Sequence, residues 1–177
     1  MSLILLLGGA RSGKSALAVR WGTAHHGPVT FMATAEAGDE EMAQRIARHR
    51  AERPDGWTTV EEPRAVATAV AAADQEALVI VDCLTLWLAN MLDEADASVL
   101  TAARAIATAA RDRRAPTVVI SNEVGWGIVP ADPATRRYRD LLGEVNAMMA
   151  AHADRALLLV AGRAVALTDD SSEIAGP

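Results

Sequence analysis

A short apolar run followed at once by a glycine-rich segment constrains this chain of 177 residues more than any other feature. The run, Leu3 to Leu7, is typical of a strand that is buried on both faces of a parallel sheet. The next residues, GGARSGKS at positions 8–15, match the pattern G-x-x-x-x-G-K-[ST] at every required position. A strand that leads through such a loop into a helix is typical of a P-loop, whose backbone N–H groups surround phosphate oxygens.

Every position of this loop is therefore a predicted nucleotide-binding residue. These positions are Gly8, Gly9, Ala10, Arg11, Ser12, Gly13, Lys14 and Ser15. Lys14 is expected to reach the β- and γ-phosphates, and the Ser15 hydroxyl is expected to bind Mg²⁺. The alternative is a glycine-rich turn that binds nothing, and the strand before the loop and the helical pattern after it argue against that alternative.

A second apolar run, at positions 77–81, ends in Asp82. An apolar strand that ends in Asp is the Walker B pattern, in which the carboxylate holds Mg²⁺ through water opposite the P-loop. Apolar runs that end in Asp are common and are weak evidence alone, but together with a P-loop this run is a fairly strong indication of a Walker B strand. The sequence therefore predicts a Mg²⁺ site formed by Ser15 and Asp82.

Segments that follow other predicted strands supply further candidates, because ligands in a doubly wound sheet bind beyond the carboxyl ends of the strands. Thr34, Ala35 and Glu36 end or follow the strand at 28–34, and a surface turn is the alternative. Glu61, in the short strand and turn at 57–63, is also assigned to the nucleotide site. The segment 122–130 follows the strand at 116–121 and suits a substrate-contacting loop, with a plain surface loop as the alternative.

The helix predicted at 39–50 has acidic residues in its first turn and basic residues in its last, which matches the helix dipole. His49 continues the face of Ile46, and Arg53 follows on the same face. Cations near a phosphate site could hold the imidazole neutral and therefore nucleophilic. A packing histidine at a helix end is the alternative, which the spacing alone favours. Arg50 and Arg53 are predicted to bind nucleotide.

Composition limits the function classes. The net charge of −6 argues against a general nucleic-acid binder. The single cysteine, Cys83, excludes an internal disulfide and a cysteine-rich zinc site, and it is expected to be a packing residue. The first apolar run is too short for a membrane span and lacks the basic region of a signal peptide. The expectation is therefore a soluble cytoplasmic protein.

The alternation of strands and helices predicts one α/β domain over residues 1–177. Its sheet is expected to be mostly parallel, of the RecA-like P-loop NTPase type, with helices on both faces and a hairpin at the edge formed by residues 156–167. A helix capped by Ser98 is predicted to run to about Arg113, and a long helix is predicted to begin at Asp132. The tail, 168–177, is expected to be disordered.

Three classes of P-loop protein fit these motifs: a small-molecule kinase or nucleotidyl transferase, a motor or regulatory NTPase, and a signalling GTPase. The GTPase is disfavoured because no N/T-K-x-D segment follows a strand. The motor is disfavoured because no sufficiently basic surface is evident.

Three segments together resemble one family. They are the P-loop at 8–15, the segment R-I-x-x-H-R-x-x-R-P-x-x-W at 45–57, and NEVGWGIVP at 122–130. They are similar to the bifunctional adenosylcobinamide kinase / adenosylcobinamide-phosphate guanylyltransferase family of cobalamin biosynthesis, and the resemblance extends from residue 3 to about 167.

The resemblance implies that ATP or GTP phosphorylates adenosylcobinamide, and that GMP then passes from GTP through a guanylyl-histidine to give adenosylcobinamide-GDP. By position the histidine is His49, although some relatives carry two adjacent histidines where this chain has Arg48-His49. Lys14 would serve both steps with Mg²⁺, and the family implies a homotrimer. The alternative is a P-loop kinase of another small metabolite that forms no covalent intermediate.

Overall fold

The computed structural model describes residues 2–51 and 53–168, apart from the side chains of Glu41, Met42, Arg45 and His49. The elements are β1 (Leu3–Leu7), α1 (Lys14–Ala24), β2 (Val29–Ala33), α2 (Glu40–Ala51), β3 (Thr58–Glu61), α3 (Val66–Ala72), β4 (Leu78–Asp82), α4 (Leu84–Asn90), α5 (Asp96–Arg111), β5 (Thr117–Ile120), α6 (Pro133–His152), β6 (Arg155–Val160) and β7 (Arg163–Leu167). Strands and helices alternate except at two places, where α5 follows α4 directly and β7 follows β6 directly.

The strands form one seven-stranded sheet in the order β3-β2-β4-β5-β1-β6-β7. All neighbouring strands are parallel except β6 and β7, which form an antiparallel hairpin at the edge. The predicted mostly parallel sheet and its C-terminal edge hairpin are therefore confirmed. The register pairs Ile120 with both Leu6 and Asp82, so β1, β5 and β4 end at the same edge of the sheet.

Two apolar cores lie on opposite faces of this sheet, as predicted for helices on both faces. Helices α3, α4, α5 and α6 pack into the larger core, and α1 packs into the smaller one. Alternate residues of β1 serve the two cores, since Leu5 belongs to the larger core and Leu6 to the smaller. A strand buried on both faces needs an unbroken apolar run, which explains the run at 3–7.

Two helix starts test the predicted caps. Asp132 caps α6 as predicted, because its carboxylate accepts a hydrogen bond from the Thr135 N–H at 2.8 Å. The prediction for Ser98 is wrong, since α5 begins at Asp96, two residues earlier. The N–H groups of Ser98 and Val99 both donate to the Ala95 carbonyl, so the backbone itself closes the first turn there, and the Asp96 carboxylate suits the positive end of the helix dipole. Arg137 of α6 also donates to that carboxylate at 2.8 Å. Residues 169–177 of the predicted tail lie outside the described residues.

Arg113 is a buried cation remote from the carboxyl edge of the sheet, and only 1% of its surface is exposed. Its guanidinium donates to four backbone carbonyls. The acceptors are Val70, Ala73, Asp74 and Ala77, at 2.6–3.0 Å. These bonds satisfy the carbonyls at the end of α3 and tie that helix to the start of β4.

We expect Arg113→Ala to lower the free energy of unfolding by about 3 kcal/mol, because the buried carbonyls lose their donors. Urea unfolding monitored by circular dichroism measures this change. Arg114→Ala is the matched control: Arg114 is exposed and pairs only with exposed Glu76 at 3.4 Å, so its loss should cost less than about 1 kcal/mol. Equal effects of the two substitutions would contradict this role for Arg113.

Candidate functional site

The loop between β1 and α1 turns sharply at the carboxyl edge of the sheet. Gly8, Arg11 and Gly13 all have positive φ angles, of 144°, 58° and 102°. Ser12 N–H donates to the Gly9 carbonyl at 3.3 Å, which closes the turn before α1 begins at Lys14. The predicted strand, loop and helix are therefore present, and the positive end of the α1 dipole faces the site.

Lys14 lies at the centre of this loop. Its ammonium donates to the carbonyls of Gly8 at 2.7 Å and Gly9 at 2.8 Å, and only 7% of the residue is exposed. Burial lowers the pKa of Lys14, and the nearby Cys83 and Asp82 oppose that shift. The loop carbonyls thus hold a cation where phosphate oxygens would approach.

The β6–β7 hairpin supports the loop from its other side. Gly162, in the hairpin turn, donates its N–H to the Ser12 carbonyl at 2.9 Å. A Cβ atom built on Gly8 would lie 2.4 Å from the Leu159 carbonyl oxygen of β6. Sequence reasoning placed this hairpin at the edge but missed its contact with the P-loop, because no local pattern signals a contact between residues so far apart in sequence.

Ser15 and Asp82, the two predicted metal-binding residues, lie together although β5 separates their strands. The Ser15 hydroxyl donates to the Asp82 carboxylate at 2.8 Å. Mg²⁺ prefers such oxygen ligands and usually keeps several waters, so one carboxylate and one hydroxyl fit it when phosphate oxygens complete the shell. Across the described residues, no group of three or more His, Cys, Asp or Glu side chains could hold a metal ion.

A cavity of about 750 Å³ extends from the P-loop to α2. Residues from the P-loop, the strand ends and the α2 region line it. They include residues 10–16, Phe31, Ala33, Ala35, Asp82, Cys83, Asn122, Gln44, Ile46, Arg48 and Arg53. Among the described residues, four of the lining side chains are cations and one is a carboxylate, a balance that attracts a polyphosphate.

The three residues predicted to bind nucleotide at the end of β2 have different surroundings. Ala35 lines the cavity, whereas Glu36 is exposed and is not among the lining residues. Thr34 is fully buried, and its hydroxyl donates to the Cys83 carbonyl at 2.7 Å while accepting from the Cys83 N–H at 2.8 Å. Thr34 thus braces the end of β2 against the end of β4. Burial raises the pKa of the Cys83 thiol to about 11, as suits a packing residue.

The residues predicted to bind nucleotide at the end of α2 also differ in whether they line the cavity. Arg53 lines the cavity, while Arg50 forms an exposed ion pair with Glu61 of β3 at 3.3 Å, beside the cavity lining. His49 belongs to α2, but its side chain lies outside the described residues, so its role stays a prediction. Arg48, one of the arginines that surround His49 in the sequence, also lines the cavity, and so does Gln44, which the sequence did not single out although it lies four residues before Arg48 on the helix.

The loop at 122–130 leaves the same edge of the sheet. Asn122 lines the cavity, and the Glu123 N–H donates to the Gly8 carbonyl at 3.3 Å. Farther along, Trp126 and Ile128 are exposed by 74% and 98%. The start of this loop therefore belongs to the site, and its contact with a substrate stays a prediction.

We expect Gly8→Ala to lower the free energy of unfolding by about 2 kcal/mol, because the new Cβ would meet the Leu159 carbonyl at a φ of +144°. Urea unfolding in the absence of nucleotide measures the change. Gly9→Ala is the control, since a Cβ there meets nothing within 4 Å, and its effect should stay within about 0.5 kcal/mol. A Gly8→Ala protein as stable as the parent would refute the close support of the loop by β6.

Known proteins resemble this chain along most of its length. The RadB recombinase has a similar structure, with a TM-score of 0.51 at 18% identity, over 89% of this chain and 73% of that chain. This likeness shows the fold alone, and with the sheet order it confirms the predicted RecA-like P-loop NTPase fold. Among the described helices, none is both long enough and apolar enough to cross a membrane.

Sequence comparison goes further than the fold. The bifunctional adenosylcobalamin biosynthesis protein CobP of Pseudomonas aeruginosa is 43% identical over 160 residues, which cover 89% of this chain and 92% of that protein. The corresponding protein CobU of Escherichia coli is 35% identical over 90% of this chain and 96% of its own length. A family model described as cobinamide kinase / cobinamide phosphate guanyltransferase matches residues 4–167. This chain therefore belongs to the cobinamide kinase / cobinamide phosphate guanylyltransferase family.

Proposed function

We propose that this chain phosphorylates adenosylcobinamide with ATP or GTP and then transfers GMP from GTP to the product, giving adenosylcobinamide-GDP. The observation that carries the proposal is the cavity that the P-loop and α2 line together. A phosphate-binding loop on one wall and a cationic helix on the other are what two successive reactions at phosphorus need. Membership of the family supplies the corrinoid substrate.

The kinase step needs mainly positioning and charge. The P-loop amides and Lys14 would hold the β- and γ-phosphates, so that the substrate hydroxyl attacks the γ-phosphorus and the β–γ bridging bond breaks. Ser15 and Asp82 would hold Mg²⁺, which neutralises phosphate charge when it is bound. Lys14 contributes because its carbonyl partners already fix its ammonium in the loop.

The guanylyl step benefits from a covalent intermediate, because a phosphate monoester and a triphosphate repel each other. In the proposed path a ring nitrogen of His49 attacks the α-phosphorus and pyrophosphate leaves. An oxygen of the cobinamide phosphate then attacks the same phosphorus, and the P–N bond breaks. Arg48 and Arg53, which line the cavity, would stabilise the charge that develops on the transferred group.

The remaining expectations stay proposals of the same kind. A homotrimer is implied by the family resemblance, and a cytoplasmic location and a single domain over residues 1–177 come from the sequence. They concern where and in what assembly the reactions occur.

We expect the intact protein to gain the mass of one GMP after incubation with GTP and Mg²⁺, through an acid-labile phosphoramidate bond. The adduct should be absent from His49→Ala, which lacks the nucleophile, and from Lys14→Ala, which cannot hold the triphosphate. His152→Ala is the control, since His152 contacts the Met148 carbonyl at 2.8 Å near the end of α6.

An adduct that persists in His49→Ala would overturn the assignment of the nucleophile. Turnover of adenosylcobinamide to its phosphate without any adduct in the parent protein would instead favour the alternative, a kinase that forms no covalent intermediate. Intact mass measurement and product chromatography together separate these outcomes.

A further inference from the structure

Arg53 is a cation of the cavity wall that lies outside the P-loop. Its side chain enters the cavity from the segment between α2 and β3. One nitrogen, Nη1, donates to the Thr59 hydroxyl at 3.4 Å, and the buried Nε has no hydrogen-bond partner. Because Nε is enclosed by protein, the donors that a ligand in the cavity could meet are the terminal nitrogens of the guanidinium.

Two stacked aromatic rings, those of Phe31 and Trp57, pack against this guanidinium, and we call them the aromatic column. The central carbon of the Arg53 guanidinium lies 3.9 Å from the centroid of the Phe31 ring. Phe31 stacks in turn on Trp57, with 6.5 Å between ring centroids and 23° between ring planes. Both rings pack in the smaller core, so the column continues the core into the cavity wall.

The base of the column is set by a glycine of α1. A Cβ atom built on Gly22 would lie 2.5 Å from the Cζ2 and Cη2 atoms of Trp57, so only glycine lets the indole approach this closely. The backbone N–H of Trp57 donates to the Pro54 carbonyl at 3.1 Å, which fixes the turn that carries the indole ring. Gly22, Trp57, Phe31 and Arg53 thus form a continuous line of contacts from α1 to the cavity.

We propose that Phe31 and Trp57 are positioning residues that hold the Arg53 guanidinium against the phosphates of the nucleotide. The identity of that nucleotide, GTP, rests on the proposed function. A stacked guanidinium keeps its donors in one plane and loses less conformational freedom when the ligand binds. Trp57, the last residue of the segment R-I-x-x-H-R-x-x-R-P-x-x-W, thereby gains a role in the site.

The electrostatics around Arg53 agree with this placement. Burial lowers the pKa of Arg53, and the negative charge of Asp82 raises it in part. The guanidinium remains charged at neutral pH in any such setting. Arg53, Lys14 and Asp82 all line the same cavity, so a triphosphate bound there would meet both cations.

A double-mutant cycle on GTP binding tests the proposal. Equilibrium dialysis with radiolabelled GTP and Mg²⁺ gives the dissociation constants of the parent, Arg53→Gln, Trp57→Ala and the double variant. Arg53→Gln should weaken binding about 10- to 100-fold, because a charge-assisted hydrogen bond is lost. Trp57→Ala should weaken it about tenfold, and the double variant should bind no more weakly than Arg53→Gln alone.

Two further variants separate positioning from general packing. Trp57→Phe keeps a stacking ring and should restore binding to within about threefold of the parent. Trp21→Ala is the control, since Trp21 packs against the same smaller core and does not belong to the column. Its binding of GTP should match that of the parent even though the core is disturbed. Should Trp57→Ala unfold, Phe31→Leu takes its place in the cycle.

Multiplicative losses in the double variant, or parent-like binding by both Trp57→Ala and Phe31→Leu, would overturn the proposal. Because the cycle measures binding and no product, it decides this inference even if the parent protein forms no guanylyl adduct and the proposed function fails. A parent protein that does not bind GTP would overturn both.

Discussion

The hydrogen bonds from the Lys14 ammonium to the carbonyls of Gly8 and Gly9 are the interaction on which the rest of the site depends. They fix the loop in the tight turn that its positive φ angles allow, and they leave its N–H groups at the start of α1 available to phosphate. Everything around the loop secures this arrangement. The strand before it is buried on both faces, and the hairpin turn at Gly162 holds it from behind.

The charge of the protein is arranged unevenly around this loop. The chain has a net charge of −6, yet the described part of the cavity wall carries Arg11, Lys14, Arg48 and Arg53 against the carboxylate of Asp82. Focused cations of this kind attract a small polyanion without making the whole protein bind nucleic acid. Structural arginines are kept apart from the site: Arg113 serves only backbone carbonyls between α3 and β4.

The local motifs of this site could be predicted from the sequence, and its long-range contacts could not. The P-loop, the acid at the end of β4 and the edge hairpin each have a pattern within a few residues, and the structure brings Ser15 and Asp82 together at 2.8 Å. Thr34 was placed at the correct edge, but whether a threonine there meets ligand or backbone depends on the neighbouring strand. The start of α5 was missed because Ser98 offers a capping side chain, whereas the backbone closes the first turn on the Ala95 carbonyl with no side-chain cap.

The aromatic column shows the same limit. Phe31 has the spacing of an ordinary core residue on a buried strand, and Trp57 lies in a turn. Only the packing of α1 against the sheet reveals that the two rings meet and carry Arg53. Such contacts join elements far apart in the chain, so neither the periodicity of the sequence nor the spacing of its motifs predicts them.

One property of the sequence allows a direct test of the central interaction, since Lys14 is the only lysine in the chain. Protein labelled with ¹⁵N at the lysine side chain should give one lysine Nζ resonance in an NMR titration. The account predicts a pKa below the ordinary value for lysine, because burial disfavours the charged form, and a rise of that pKa when GTP and Mg²⁺ bind, because phosphate favours it. An ordinary pKa that GTP does not change would place Lys14 outside the phosphate site and contradict the account.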